Sequence, residues 1–247
     1  MKKYFLVILT FLLISGCHGD DHDHDHDDGH GHAHNSEAPK IYSTDNEYLT
    51  NLNLMKGHLW VGIELYKAKH IENAKRHMKH PKSELYGDII PTFEAKGTAG
   101  FAAELEGLAL SVENEESIST IENNYQNLFD AIDNNQQFVA DVNKSIDGKI
   151  TLVVSLLEIA AEEYAVGIIE GEVKNKFEYQ DALGFTEVAK NILKNIQTDD
   201  MSEKDRLAKV ISIIDSLSIL WPQLVPIGNI DGDSKSILDA VKEIKKI

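Results

Sequence analysis

Cysteine, proline and aromatic residues are scarce in this 247-residue chain, and each shortage narrows the structures open to it. Cys17 is the only cysteine, so no disulfide can form within the chain. Five prolines and an aromatic content of 7% favour helices. Lysine and arginine number 24 against 41 aspartates and glutamates, which gives a net charge of −17. Because so acidic a protein repels phosphates, we predict no nucleic acid partner and expect affinity for cations.

The chain also lacks an apolar run long enough to span a bilayer as a helix. Its apolar stretch 4–14 follows two lysines and leads into LISGC at residues 13–17, which is typical of a secretory signal and its cleavage site. The LISGC stretch resembles the bacterial lipobox, which implies a signal peptide at 1–16 and lipid on Cys17. The alternative is an ordinary signal beside a stray cysteine. The next residue, His18, is not the aspartate of an inner-membrane retention signal, so we predict an outer-membrane anchor facing the periplasm.

Histidine is concentrated in residues 18–34, which read HGDDHDHDHDDGHGHAH. This composition cannot build a core, so we predict that residues 17–43 are a disordered tail and linker. Imidazole and carboxylate both bind borderline divalent ions, which makes the tail a candidate for metal capture. The alternative is a polar spacer. The candidate ligands are His22, His24, His26, His30, His32 and His34.

Residues 44–247 show helical spacing of apolar residues and no sustained strand alternation. They predict an all-α fold, an antiparallel bundle of roughly eight helices. Thr44 and Glu47 form a capping box before the first helix. We expect Ser202 and Ser234 to cap the last two helices. The predicted helices span 45–69, 71–79, 82–95, 101–112, 117–134, 149–172, 177–196, 202–220 and 234–247.

Four histidines lie outside the tail, namely His58, His70, His77 and His80. His77 and His80 are three residues apart, so on a helix they share one face. Pro81 predicts a junction at which a new helix starts. Such a junction would direct both imidazoles and the carboxylate of Glu84 to one point, where they suit a transition metal. The alternative is that these residues are exposed on a charged helix.

Ligand-type residues within apolar helices complete the candidate set. A buried carboxylate is costly unless it is paired or coordinated, and helical bundles build metal sites from such inward groups. We therefore predict that His77, His80 and Glu84 converge with at least one further donor residue. At least three of the donor atoms should then lie within about 5 Å of one another. The further candidates are His58, Glu162, Glu163, Glu178 and Asp181. The alternatives are a hydrogen-bonded core histidine and an exposed acidic stripe.

Two stretches resemble known families. One contains Glu163-Tyr164, Gly171-Glu172-Val173 and Glu178-Tyr179-Gln180-Asp181, and is similar to a periplasmic segment of bacterial high-affinity iron permeases. The other contains Gly57-His58, His77, His80-Pro81 and Glu84, and is similar to bacterial periplasmic helical proteins, of which the imelysin-like proteins are the nearest named. The two resemblances imply a helical metal-uptake protein whose partner is a metal transporter or permease.

These features support three functions. The first is a membrane-anchored lipoprotein that binds a divalent transition metal, zinc or iron, and supports metal uptake or homeostasis. The second is a metal-dependent hydrolase, although the chain contains no His-Glu-x-x-His and no evident Ser or Cys nucleophile, so we predict no catalytic residue. The third is a structural lipoprotein that binds a partner. An open water position on the metal would favour the hydrolase.

Overall fold

The computed structural model describes residues 41–247, and helices account for most of this range. Two short strands, β1 (Ile168–Ile169) and β2 (Glu172–Val173), pair antiparallel. The predicted all-α class is confirmed. The helices are α1 (Asp45–Lys67), α2 (Ile71–His80), α3 (Gly87–Lys96), α4 (Ala102–Glu113), α5 (Ile118–Gln136), α6 (Asp141–Lys144), α7 (Ile146–Gly167), α8 (Lys176–Lys194), α9 (Met201–Ser216) and α10 (Ser234–Ile244).

Residues 1–40 lie outside the described part of the chain. The signal peptide at 1–16, the lipid on Cys17 and the metal ligands of the tail therefore stay predictions. Within residues 41–247, no helix combines the length and the apolar character needed to cross a membrane.

Helix α1 is the centre of the fold. The Thr44–Glu47 capping box forms as predicted and fixes its start. Sixteen of its 23 residues are buried, which is why apolar residues lie all round it instead of along one stripe. It packs against α2 and α5 on one side and against α7 and α8 on the other.

Two hydrophobic cores lie on either side of α1. The N-terminal region (residues 41–139) packs α1 to α5 around residues such as Leu52 and Phe101. The C-terminal region (residues 140–247) packs α7 to α10 around residues such as Leu156 and Phe185, and α1 contributes to this core as well. Because α1 belongs to both cores, residues on α1 can meet residues on α8.

A pair of glycines lets α1 and α8 approach closely. A Cβ added to Gly184 would collide with the backbone carbonyl oxygen of Gly57, and a Cβ added to Gly57 would collide with the ring of Phe185. Only glycine at both positions permits this crossing. Gly57 precedes His58, and Gly184 lies one turn after Asp181, so the crossing brings those two candidate ligands together.

A new helical segment starts at Pro81, as predicted, but the backbone stays helical through His80 and Pro81. Helix α2 continues to His80, whose backbone is helical (φ −52°, ψ −49°), and a π-helical turn, Pro81–Tyr86, leads directly into α3. A widened turn accommodates the missing proline N–H without breaking the helix. His77 and His80 therefore sit near the end of one continuous helix.

The helix predicted over 149–172 is also different. It begins at Ile146 behind a Ser145 cap and ends at Gly167, where the chain forms the β1–β2 hairpin. Gly171 in the hairpin turn has a positive φ of 80°, and its carbonyl accepts a hydrogen bond from Ile230 N–H at 2.8 Å. Apolar spacing alone could not reveal this end, because isoleucine and valine suit both helix and strand.

Aspartates cap the last two long helices in place of the predicted serines. Asp200 accepts hydrogen bonds from the backbone N–H groups of Ser202 and Glu203, and Asp233 accepts one from Ser236. Aspartate caps as well as serine and stands one or two residues earlier here. Helix α9 ends at Ser216, and a 3₁₀ turn over Leu217–Leu220 completes the stretch predicted as one helix.

Candidate metal centre

Four ligand-type side chains from three helices meet between the two regions. His58, His77, His80 and Asp181 each offer one donor atom, and the four atoms lie within 4.8 Å of one another. Among the described residues this is the one group of three or more histidines and acids that meets this condition. It fulfils the geometric condition set by the sequence, which required three donors within about 5 Å.

The Asp181 carboxylate lies at the centre of this group. His58 Nδ1 is 2.6 Å from Asp181 Oδ1, and His77 Nδ1 is 3.0 Å from the same oxygen. His80 Nδ1 is 3.9 Å from Asp181 Oδ2. All three imidazoles therefore turn the same ring nitrogen towards one carboxylate.

The four side chains of this group are largely buried, which distinguishes them from an ordinary surface cluster. His77 is fully buried and Asp181 is 2% exposed. His80 has the most accessible side chain of the four, at 14%. The ring of His58 packs edge-on against Phe185 with centroids 5.1 Å apart, so one wall of the site is apolar. A charge in such surroundings is costly unless another charge compensates it.

Local helix geometry positions the four side chains. His77 and His80 lie three residues apart on α2 and therefore share one face of the helix. His58 comes from α1, next to the glycine that allows the close approach of α8, and Asp181 comes from α8. The site is therefore a product of tertiary packing between two regions more than 100 residues apart, as the separation of 123 between His58 and Asp181 shows.

Burial and neighbouring charges shift the pKa values of three members of the group. Burial opposes a low pKa for Asp181, but attraction to His58 and His77 outweighs it and lowers that pKa well below the usual range. Burial likewise opposes the charged form of His58, yet the Asp181 carboxylate prevails and raises the pKa of His58. Burial, followed by repulsion from His58, lowers the pKa of His80 to about 3. His80 therefore presents a neutral imidazole, the form that binds metals.

Two nitrogens of this cluster lack a hydrogen bond. His77 Nδ1 and His80 Nδ1 are buried and have no hydrogen-bond partner among the described residues. Buried polar atoms are normally satisfied, so each exception requires an explanation. Both nitrogens face the Asp181 carboxylate. A cation placed between the nitrogens and the carboxylate would bind all of these atoms. The residues present therefore fit a metal ion.

The other predicted ligands surround the group without joining it. Glu84 Oε1 lies 4.0 Å from His80 Nε2, at the accessible edge. Glu163 is buried on α7, and burial raises its pKa while a hydrogen bond with Glu178 acts against the rise. Glu162 is exposed on the outer face of α7. The prediction for Glu162 therefore finds no geometric support.

Sequence reasoning missed two neighbours of the imidazoles. Gln180 Oε1 lies 2.9 Å from His77 Nε2, and Gln180 is fully buried. Arg76 donates from Nε to His80 Nε2 at 3.4 Å and stacks on the ring of Phe177. Gln180 directly precedes Asp181 within an apolar part of α8, and this position was a usable signal because buried amides need partners.

Comparison with protein families separates the two regions. Residues 140–247 match the model of the iron permease-associated 4-helix bundle domain. This match confirms the predicted resemblance to iron permease segments and covers the four long helices α7, α8, α9 and α10. It contains Asp181 but begins after the three histidines, which all lie in the N-terminal region. No curated protein and no solved structure matches the chain. The resemblance to imelysin-like proteins stays a prediction.

Proposed function

We propose that this protein is a lipid-anchored protein of the bacterial cell envelope that binds a divalent transition metal and supports its uptake together with an iron permease. The observation that carries the proposal is the buried group of three imidazoles and one carboxylate, in which two ring nitrogens have no hydrogen-bond partner. The metal is cargo in this function.

The donor set restricts the metal. Three imidazoles and a carboxylate, with no thiolate, suit zinc or ferrous iron, whereas soft ions such as Cu(I) favour sulfur. Donor atoms around a tetrahedral ion lie about 3.4 Å apart when the bonds are near 2.1 Å. The longest separation here is 4.8 Å, so the site must contract on binding. The contacts of Asp181 Oδ1 with His58 Nδ1 at 2.6 Å and with His77 Nδ1 at 3.0 Å must lengthen at the same time.

Binding is favoured over hydrolysis by the number and burial of the ligands. Catalytic zinc sites use three protein ligands and leave a position for water. Here four protein donors are available, which fill a tetrahedral shell. The site is also largely closed to solvent, since two of its ligands are at most 2% exposed. A stored or transferred ion fits these features better than an ion that must admit a substrate.

The link to a permease rests on the C-terminal region. Its match to a domain named for association with iron permeases supports iron as cargo and a permease as partner. The histidine tail would then collect ions at the anchored end of the chain, as its composition predicts. The net charge of −17 favours cation attraction throughout.

Metal content tests this proposal most directly. We expect the full-length protein, purified without added ions, to contain zinc or iron. His77→Ala should remove about one ion per chain and weaken metal binding by at least about 100-fold, because the ion in the buried site loses a ligand. Deletion of 18–34 should remove the weaker ions alone. Combining both changes separates the two sites.

Matched controls exist on both sides of the site. His70→Ala removes an exposed histidine seven residues from His77, and Glu162→Gln removes an exposed acid beside Glu163. Neither should change the ion retained by the folded part. A protein whose metal content depends on residues 18–34 and not on His77 would refute the internal site.

The anchor needs a test of its own. Cys17→Ala should abolish incorporation of labelled fatty acid and leave an unprocessed precursor or a soluble protein, because no other cysteine can accept the lipid. Membrane fractionation measures the result. A variant that is processed and membrane-attached like the wild type would contradict the lipoprotein assignment while leaving the metal site untouched.

A further inference from the structure

The side-chain amide of Gln180 has only one orientation that fits its neighbours. Its nitrogen lies 3.0 Å from the backbone carbonyl oxygen of Leu224, and its oxygen lies 2.9 Å from His77 Nε2. A backbone carbonyl can only accept a hydrogen bond, so the amide NH₂ must face Leu224. The amide oxygen is therefore the group that faces His77.

This orientation determines where His77 keeps its proton. An amide oxygen accepts and cannot donate, so His77 Nε2 must be the protonated nitrogen in this contact. In the neutral imidazole the lone pair is then on Nδ1. That lone pair faces Asp181 Oδ1 at 3.0 Å, and Nδ1 has no hydrogen-bond partner. A neutral His77 would thus place two acceptors 3.0 Å apart, which is unfavourable unless a metal ion binds there or a second proton charges the imidazole.

We propose that Gln180 is a positioning residue that fixes the tautomer of His77, so that the metal binds His77 through Nδ1. The inference rests on the proposed metal-binding function. Gln180 does not touch the ion; it acts through the imidazole, as carboxylates and carbonyls do behind other metal-binding histidines. Its second hydrogen bond ties the ligand to the segment after α9, since Leu224 lies in the loop between the 3₁₀ turn and α10.

The backbone around Gln180 supports a fixed geometry. Tyr179 donates from its hydroxyl to the Gln223 carbonyl at 2.8 Å, and Trp221 donates from its indole N–H to the Tyr179 carbonyl at 3.0 Å. The loop that accepts from Gln180 is therefore held against α8 at two adjacent positions. Leu224 O cannot easily leave the amide, and the amide cannot easily rotate.

Nitrogen-15 NMR of histidine-labelled full-length protein tests the inference. Metal-free protein is studied at about pH 8.5, above the usual imidazole pKa of about 6.5. We expect His77 to carry its proton on Nε2, and zinc to shift Nδ1 while the Nε2 proton stays. Gln180→Met should lose this tautomer preference and weaken zinc binding by about 10- to 100-fold.

Two further variants distinguish positioning from packing. Gln180→Glu retains an acceptor for His77 Nε2–H but loses the donor to the Leu224 carbonyl, so it should keep the tautomer even where the packing of the loop is weakened. Thr186→Val removes a different buried hydrogen bond of α8, from the Thr186 hydroxyl to the Ala182 carbonyl at 2.8 Å, without touching the site. It should leave both the tautomer and the affinity as in the wild type.

The inference is overturned if metal-free wild-type protein carries the His77 proton on Nδ1, a result that needs no folded variant. It is also overturned if Gln180→Met and Thr186→Val weaken zinc binding equally, since the effect would then be one of packing. Zinc binding that does not involve His77 at all would overturn the proposed function, whereas the tautomer of the metal-free protein reports on Gln180 alone.

Discussion

The two regions of this molecule contribute unlike chemistry to the same site. The N-terminal region supplies three imidazoles from α1 and α2, and the C-terminal region supplies the Asp181 carboxylate and the Gln180 amide from α8. The family match covers the second region. A function inferred from the matched region alone would therefore miss three of the four candidate ligands.

The comparison also shows where the site acquires its geometry. Each region has its own hydrophobic core, and α1 contributes residues to both. The ligands meet only because α1 and α8 cross closely at Gly57 and Gly184. The candidate metal site is thus a property of the contact between the regions, and either region by itself holds an incomplete set of the candidate ligands.

Widening this contact should have the largest effect. Gly184→Ala places a methyl group against the Gly57 carbonyl, so α1 and α8 must separate. We expect the free energy of unfolding to fall by about 1–3 kcal/mol, as overpacked cores do. Zinc affinity should fall as well, because the separated helices no longer hold His58 and Asp181 in their relative positions. Urea unfolding and calorimetric titration measure the two effects.

Another helical glycine provides the control. Gly107 is exposed on α4, and a Cβ added there would meet nothing within 4 Å. Gly107→Ala should stabilise the protein by about 0.5–1 kcal/mol through helix propensity and leave zinc affinity unchanged. If Gly184→Ala proved as stable as the wild type and bound zinc equally well, the close crossing would not be what assembles the site.

Much of the fold followed from local sequence, because helices leave local signals. The Thr44–Glu47 capping box and the apolar spacing of α1 predicted its start and length closely. The hairpin after Gly167 was not predicted, because its residues suit helix and strand alike. Its turn residue Gly171 has a positive φ and accepts a hydrogen bond from Ile230, which is distant in sequence.

The candidate ligands could be chosen by residue type, but their arrangement could not be predicted. Glu162 and Glu163 are adjacent on one helix, and only packing decides that Glu163 is buried while Glu162 faces solvent. The same holds for Asp181, whose partners come from helices far along the chain. Residue type and helical period predict which residues share a face of a helix. Which other helix packs on that face depends on the tertiary structure.

The last predicted effect is a pH dependence that distinguishes the two regions in the metal-free protein. Burial and repulsion from His58 lower the pKa of His80 to about 3. Between about pH 6.5 and that value, the unfolded chain binds a proton on His80 that the folded protein does not. The free energy of unfolding should therefore fall as the pH drops through this window, by up to about 1.4 kcal/mol per pH unit.

Asp181 acts in a different window. Attraction to the imidazoles lowers its pKa in spite of burial, so its contribution is intact above the unfolded value of about 3.9 and is lost only below it. His80→Gln should thus flatten the stability curve between about pH 4 and 6.5. Asp181→Asn should steepen it, because burial then lowers the pKa of His58, which the carboxylate otherwise raises. Glu163, whose pKa burial raises, contributes with the opposite sign in both variants.

Urea unfolding in the presence of a chelator, from about pH 4 to 8, measures both variants. In the wild type and in His80→Gln, His58 does not obscure the result, because its raised pKa affects stability only above the usual imidazole value. Parallel curves for wild type and His80→Gln across this range would mean that the folded protein protonates His80 as readily as the unfolded chain does. The imidazole side of the site would then be open to water, and burial could no longer explain why its ring nitrogens require a cation.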